Sequence, residues 1–186
     1  MVEVAKKIPN TPTLQEIATL TPVISHLAEA ATDYKRCLSD EDLVLPFVGL
    51  GRFYESQGAY AQALPWREQC LSFARERLGE EHPAVALSYN NLALLYESQG
   101  RYSEAEPLYQ KALVLRQRLL GEEHPDVAVS YNNLASLYRA QGRYSEAEPL
   151  HQKALEIAEL TLGVNHPNTI TIRGSLESLH GNPGLG

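Results

Sequence analysis

The string GEEHP occupies residues 79–83 and recurs at residues 121–125, and GVNHP follows at residues 163–167. The spacing is 42 residues each time, without insertion, so an internal repeat governs every later reading of the chain. Residues 79–120 and 121–162 are identical at 30 of 42 positions, which makes them two copies of one unit. One period earlier, residues 37–78 match residues 79–120 at 12 of 42 positions, mainly through YESQG (Tyr54–Gly58 and Tyr96–Gly100), Tyr60, Ala63, Pro65, Leu71 and Leu78. One period later, residues 163 to about 181 match the first half of a further unit. The division expected is an N-terminal tail and degenerate capping helix (1–42), three hairpin repeats (43–162) and a C-terminal half-repeat cap with its tail (163–186).

Within one unit the apolar period is that of a helix. Tyr89, Leu92, Ala93 and Tyr96 fall at i, i+3, i+4 and i+7, and Tyr131, Leu134, Ala135 and Tyr138 repeat the face. Gly100 and Gly142 stand where such helices end. A second helix is expected from about Ser103 to Leu120, opened by a Ser103–Glu106 capping box and with Pro107 in its first turn, burying Ala105, Leu108, Ala112, Leu113 and Leu120. Small residues recur where two helices must approach: Gly51, Ala93 and Ala135, then Ala63, Ala105 and Ala147, then Cys70, Ala112 and Ala154. Cys70 therefore reads as a buried alanine substitute rather than a reactive thiol. The uninterrupted period, with no period-2 run, predicts an all-α fold: a right-handed, elongated α-solenoid of helical hairpins with about eight helices.

Composition removes several function classes. At 44% hydrophobic and 21% charged residues the chain is too apolar for disorder. The formal charge of −7 and the absence of a Lys/Arg cluster argue against nucleic acid. No stretch approaches 18 consecutive apolar residues, and MVEVAKKIPN lacks an apolar h-region, so no membrane association and a cytoplasmic location are expected. Cys37 and Cys70 form no disulfide framework. His82, His124 and His166 sit one hairpin apart. Packed helices lie ~8–10 Å apart, too far to share one zinc, so no metal and no other cofactor is expected. Each histidine precedes a proline and marks the start of a helix at Pro83, Pro125 or Pro167. No nucleophile motif and no phosphate-binding glycine loop occurs, so no catalytic residue is assigned. The acidic pairs Glu104/Glu106 and Glu146/Glu148 lie in first helical turns, where they oppose the helix dipole.

Leu92-Ala93, Tyr96, Gln99-Gly100, Tyr102, Ala105, Tyr109 and Ala112-Leu113 resemble the signature of a tetratricopeptide repeat. The 42-residue period with YNNLA, EAEPLY and GEEHP is similar to the kinesin light chain subtype, over about residues 43–181. Repeat one departs from it, with Val48-Gly49 for Asn-Asn and SDED for EEHP. The resemblance implies a tetratricopeptide-like superhelix whose first helices line a concave groove. Asn90-Asn91 and Asn132-Asn133 point some 110–150° from the wheel position of the core face, so they read as non-core. Their amides both donate and accept, which suits clamping the backbone of an extended peptide. The same face carries Leu87 and Leu94 in repeat two, Val129, Ser136 and Arg139 in repeat three, and Arg52 in repeat one. Hydrogen bonding between adjacent repeats is the other role open to the asparagines. The function expected is a non-enzymatic scaffold for a protein or extended peptide, monomeric by preference. A regulatory or sensor module derived from a larger signalling NTPase is the alternative.

The ends read as caps. Residues 12–38 form one or two helices with Leu14, Ile17, Leu20, Ile24, Leu27, Ala28 and Tyr34 as the apolar set, capped by Thr13 and Glu16 and restarted or kinked at Thr21-Pro22. In the half-repeat, Arg173, Glu177 and His180 replace Tyr, Ala and Tyr, giving the polar outer face of a terminal helix before GNPGLG. The array is expected to stop there, whereas its N-terminal side admits a longer parent chain.

Overall fold

The computed structural model describes residues 5–6, 8–9, 13–33 and 44–180. Its helices are α1 (Leu14–Asp33), α2 (Leu45–Glu55), α3 (Tyr60–Leu78), α4 (Pro83–Ser98), α5 (Tyr102–Leu120), α6 (Pro125–Ala140), α7 (Tyr144–Leu162) and α8 (Pro167–His180). No strand occurs among the described residues. Two compact units are present, residues 1–95 and 96–186.

In the first unit, α1 is one helix that runs through Pro22. The Thr13–Glu16 cap forms as expected: the Thr13 backbone N–H and hydroxyl both donate to Glu16 Oε2, at 2.7 and 2.8 Å, and the Glu16 N–H returns a bond to Thr13 Oγ1. Ile24 and Leu27 are buried and join Phe47, Leu50, Phe53, Cys70 and Phe73 in one cluster. The Phe47 and Phe73 rings sit 5.9 Å apart across α2 and α3. Leu14, Ile17 and His180, whose side chains were assigned above, lie with Tyr34 and Cys37 outside the described side chains.

In the second unit α6 packs against α5, α7 and α8. His124 N-caps α6: its Nδ1 accepts the Asp126 N–H at 3.1 Å, and Pro125 follows at the first helical position. His82 and His166 accept the N–H of Ala84 and Asn168 in the same way. The histidines are thus helix caps, a role beyond the turn expected of them. Gly142, at φ +74, ends α6, and the Arg143 N–H reaches back to the Tyr138 carbonyl at 2.9 Å.

Three local expectations fail, the first being the place of Pro107, which is the sixth residue of α5 and not in its first turn. Helix α5 begins at Tyr102 with Arg101 as N-cap, and no side chain caps it. Ser103 is already inside the helix, so no Ser103–Glu106 capping box forms. Glu106 instead links repeats two and three: it accepts from the Tyr138 hydroxyl at 3.0 Å and from Arg143 at 2.7 Å, while the Arg143 guanidinium lies 3.9 Å over the Tyr138 ring. Leu120, expected in the core, is 36% exposed. It is the last residue of α5, where the chain turns away from the packed length of the hairpin.

Every small position picked from the period is buried. Ala63, Ala93, Ala105, Ala112, Ala135, Ala147 and Ala154 are 0% exposed and Cys70 is 2%. Burial pushes the Cys70 thiol above its ordinary pKa, and its Sγ lies 3.4 Å from Ser88 Oγ. Ala105→Leu or Ala147→Leu should therefore cost ~1–3 kcal/mol, since added methylenes have no space at such sites. Thermal melts indistinguishable from the parent would show the crossings to be looser than described.

Candidate functional site

In the first unit, Leu87, Asn91 and Leu94 fall at i, i+4 and i+7 on α4 and so share one face. Leu87 is 39% and Leu94 42% exposed, with Asn91 half-buried between them. Two large apolar side chains left in water one turn to either side of an amide form a small sticky strip with a polar centre. Asn90 departs from its expected place: it is 6% exposed and belongs to the interior.

The second unit explains the error on the wheel. On α6, Val129, Asn133 and Ser136 repeat the i, i+4, i+7 strip and are each half-buried. Asn132, one residue to the side, accepts through Oδ1 from Nδ1 of His151 on α7 at 3.1 Å. A one-faced wheel assumes a single packed flank. Helix α6 has neighbours in α5, α7 and α8, so the outward arc narrows to about one residue per turn. Asn132 thus makes a bond within its own hairpin, a role that neither expectation included.

Arg139 lies one turn beyond the strip of α6, whereas Arg52 stands in α2 at the strip position itself, equivalent to Leu94 and Ser136. Arg52 is half-buried, and desolvation followed by the charge of Arg67 lowers its pKa, against the pull of Glu55. Arg139 donates to Ser178 Oγ on α8 and lies near enough to Glu97 to oppose the rise that burial imposes on that carboxyl.

A set of polar rungs was missed. Residues 55 and 67, 97 and 109, 139 and 151 are equivalent pairs, each 12 apart in sequence. In repeat one Arg67, 4% exposed, forms a two-pronged ion pair with Glu55 at 2.7 and 2.6 Å. In repeat two the Tyr109 hydroxyl donates to Glu97 at 2.6 Å, and burial together with that carboxylate raises the phenol pKa. In repeat three the pair is Arg139 and His151. His151 is 0% exposed, and burial followed by the Arg139 charge pushes its pKa down to about 4. Its Nε2 has no hydrogen-bond partner among the described residues. The rungs show in the sequence as changes of charge at two fixed repeat positions, Glu55, Glu97 and Arg139 against Arg67, Tyr109 and His151, a signal that apolar periodicity does not carry.

Among the described residues no group of His, Cys, Asp and Glu could hold a metal ion, and no helix is long and apolar enough to cross a membrane.

A tetratricopeptide repeat family model matches residues 43–113, 91–159 and 126–181. No curated protein sequence matches the chain. Among solved structures, BtubC (BKLC) from P. vanneervenii is similar at 24% identity and a TM-score of 0.69, over 97% of this chain and 79% of that one. Two crystal structures of a putative kinesin light chain with nearly identical TPR-like repeats from P. anserina are similar at 24% identity. Their TM-scores are 0.74 and 0.72, over 97% of this chain and 83% of those. At that identity the likeness speaks for the fold.

Proposed function

Because the chain belongs to the tetratricopeptide repeat family, whose repeats serve protein interaction, we propose that it is a non-enzymatic scaffold that binds an extended peptide on the outward faces of its first helices. The observation that carries this reading is the strip Leu87–Asn91–Leu94, which leaves two leucines about 40% exposed in a helix that is otherwise largely buried. Leucines there grip apolar side chains of a partner, and the amide between them bonds its backbone whatever the sequence. The strip Val129–Asn133–Ser136 on α6 is a second face of the same kind, less apolar and with Arg139 beside it. Asn90 and Asn132, buried or engaged, support these strips from behind.

A peptide selected from a random library against the chain provides the ligand for a test. Asn91→Ala should weaken its binding about 3- to 30-fold, from roughly 0.5–1.5 kcal/mol for a lost hydrogen bond, more if a partner group is left unpaired. Melting should not change, because Asn91 is on the surface strip. Asn132→Ala should lower the melting temperature instead, since it strips His151 of its partner. Gln152→Ala, on exposed α7 surface, should alter neither. Full affinity in the Asn91 variant would take this strip out of the binding site.

A further inference from the structure

The positions that hold Asn90-Asn91 in α4 and Asn132-Asn133 in α6 hold Val48-Gly49 in α2. Ala5 of this same chain lies on that spot. A Cβ placed on Gly49 would stand 3.2 Å from the Cα, the Cβ and the carbonyl oxygen of Ala5. The backbone of residue 5 therefore rests closely on the bare backbone of α2, and a Cβ at 49 would crowd it enough to push it outward by a few tenths of an ångström. Ile8 donates its N–H to the Ala5 carbonyl at 3.3 Å, which closes a turn and sends both side chains inward. Ala5 is 3% exposed, Ile8 1% and Val48 5%, in one cluster with Phe47, Leu50 and Phe53.

The geometry points to a docking surface on α2 whose occupant is this chain's own N-terminal turn, with Ala5 and Ile8 filling in repeat one the face that a partner uses in later repeats. The inference rests on the peptide-binding reading above, which is what makes that face a ligand face. Chemistry at the two positions divides the roles. Asn91 and Asn133 offer an amide to a backbone, whereas Gly49, beside the buried Val48, leaves a gap over an apolar floor that fits a small aliphatic turn. Held by its tether, the turn has an effective concentration on the order of millimolar and excludes any free segment of similar kind. The surface open to a partner then begins at α4.

The test uses the full chain carrying Ile8→Asp, which strips the tethered turn of its anchor and leaves α2 unchanged. A labelled synthetic peptide of the first twelve residues is titrated into it by fluorescence anisotropy. The peptide should bind this variant saturably and bind the unmodified chain at least ~10-fold more weakly, because the tethered copy competes. A peptide that itself carries Ile8→Asp should bind neither. Should circular dichroism show Ile8→Asp to be unfolded, Gly49→Asn is the second variant: its side chain evicts the turn, read as faster tryptic cleavage after Lys6 with helicity retained. No peptide binding to folded Ile8→Asp chain, equal binding to both chains, or unchanged cleavage in Gly49→Asn overturns the inference. The Asn91 titration is separate from these readings, so failure of the α4 strip and failure of the α2 surface are distinguishable.

Discussion

Lowering the pH from 7 to 4 should destabilise the second unit by about 3 kcal/mol through His151 alone. The residue is fully buried, and its pKa falls from 6.5 to about 4 in the fold. Asn132 Oδ1 can only accept, so Nδ1 carries the proton and Nε2 is bare. Protonation would place a charge and an unsatisfied N–H in the interior near Arg139, so the fold resists it. The unfolded chain takes up that proton below pH ~6.5 and the folded chain only near 4. Between these values the unfolded state binds more protons, and stability falls as pH falls. A gap of about 2.5 pKa units corresponds to ~3 kcal/mol at pH 4, a large fraction of the ~5–15 kcal/mol that holds a typical domain.

Other groups titrate in the same range. The carboxyls of Glu104 and Glu146 are held below their ordinary pKa by Arg101 and Arg143, and they also release stability in acid. Comparison with His151→Tyr removes them, because both chains carry them equally. Denaturant titrations at pH 7 and pH 4 should show an acid loss smaller by ~2–3 kcal/mol in the variant. Equal acid losses in the two chains would mean that the imidazole reaches water and is protonated without opening the fold.

The second large effect is expected at the repeat-one rung. Glu55→Ala should cost about 3 kcal/mol, the lower end of the range for removing one partner of a buried pair, because Glu55 keeps 26% of its side-chain surface in water. Arg67 would stay buried without its counter-charge, and Glu55 also offsets the repulsion between Arg67 and Arg52. The site has no slack. A Cβ on Gly51 would meet Arg67 Nε at 2.6 Å and Cζ at 2.7 Å, so this position is glycine where its equivalents Ala93 and Ala135 are not. Arg67→Tyr is the informative comparison, since it installs the acid–phenol pair that repeat two uses at Glu97 and Tyr109. It should cost less than ~1 kcal/mol. Chemical denaturation of both variants at pH 7 measures the difference. Costs of equal size would show that volume at residue 67, and not the charge pair, sets the stability of this hairpin.

The exact 42-residue period, the helix order, the buried small positions and the Thr13–Glu16 cap were all legible from residue order, because each depends on neighbours within one or two helical turns. The apolar faces of Tyr89–Tyr96 and Tyr131–Tyr138 and the glycine stops at Gly100 and Gly142 are of that local kind. What lay beyond it was set by which helix stands opposite which. Asn132 bonds His151 nineteen residues on, Glu106 reaches Tyr138 and Arg143 across a repeat boundary, and Ala5 lies on Gly49. A single-helix wheel counts one packed side, so it assigned Asn90 to the surface. The tertiary structure packs α6 against α5, α7 and α8, and that narrower outward arc leaves Asn133 on the outward strip while Asn132 bonds His151.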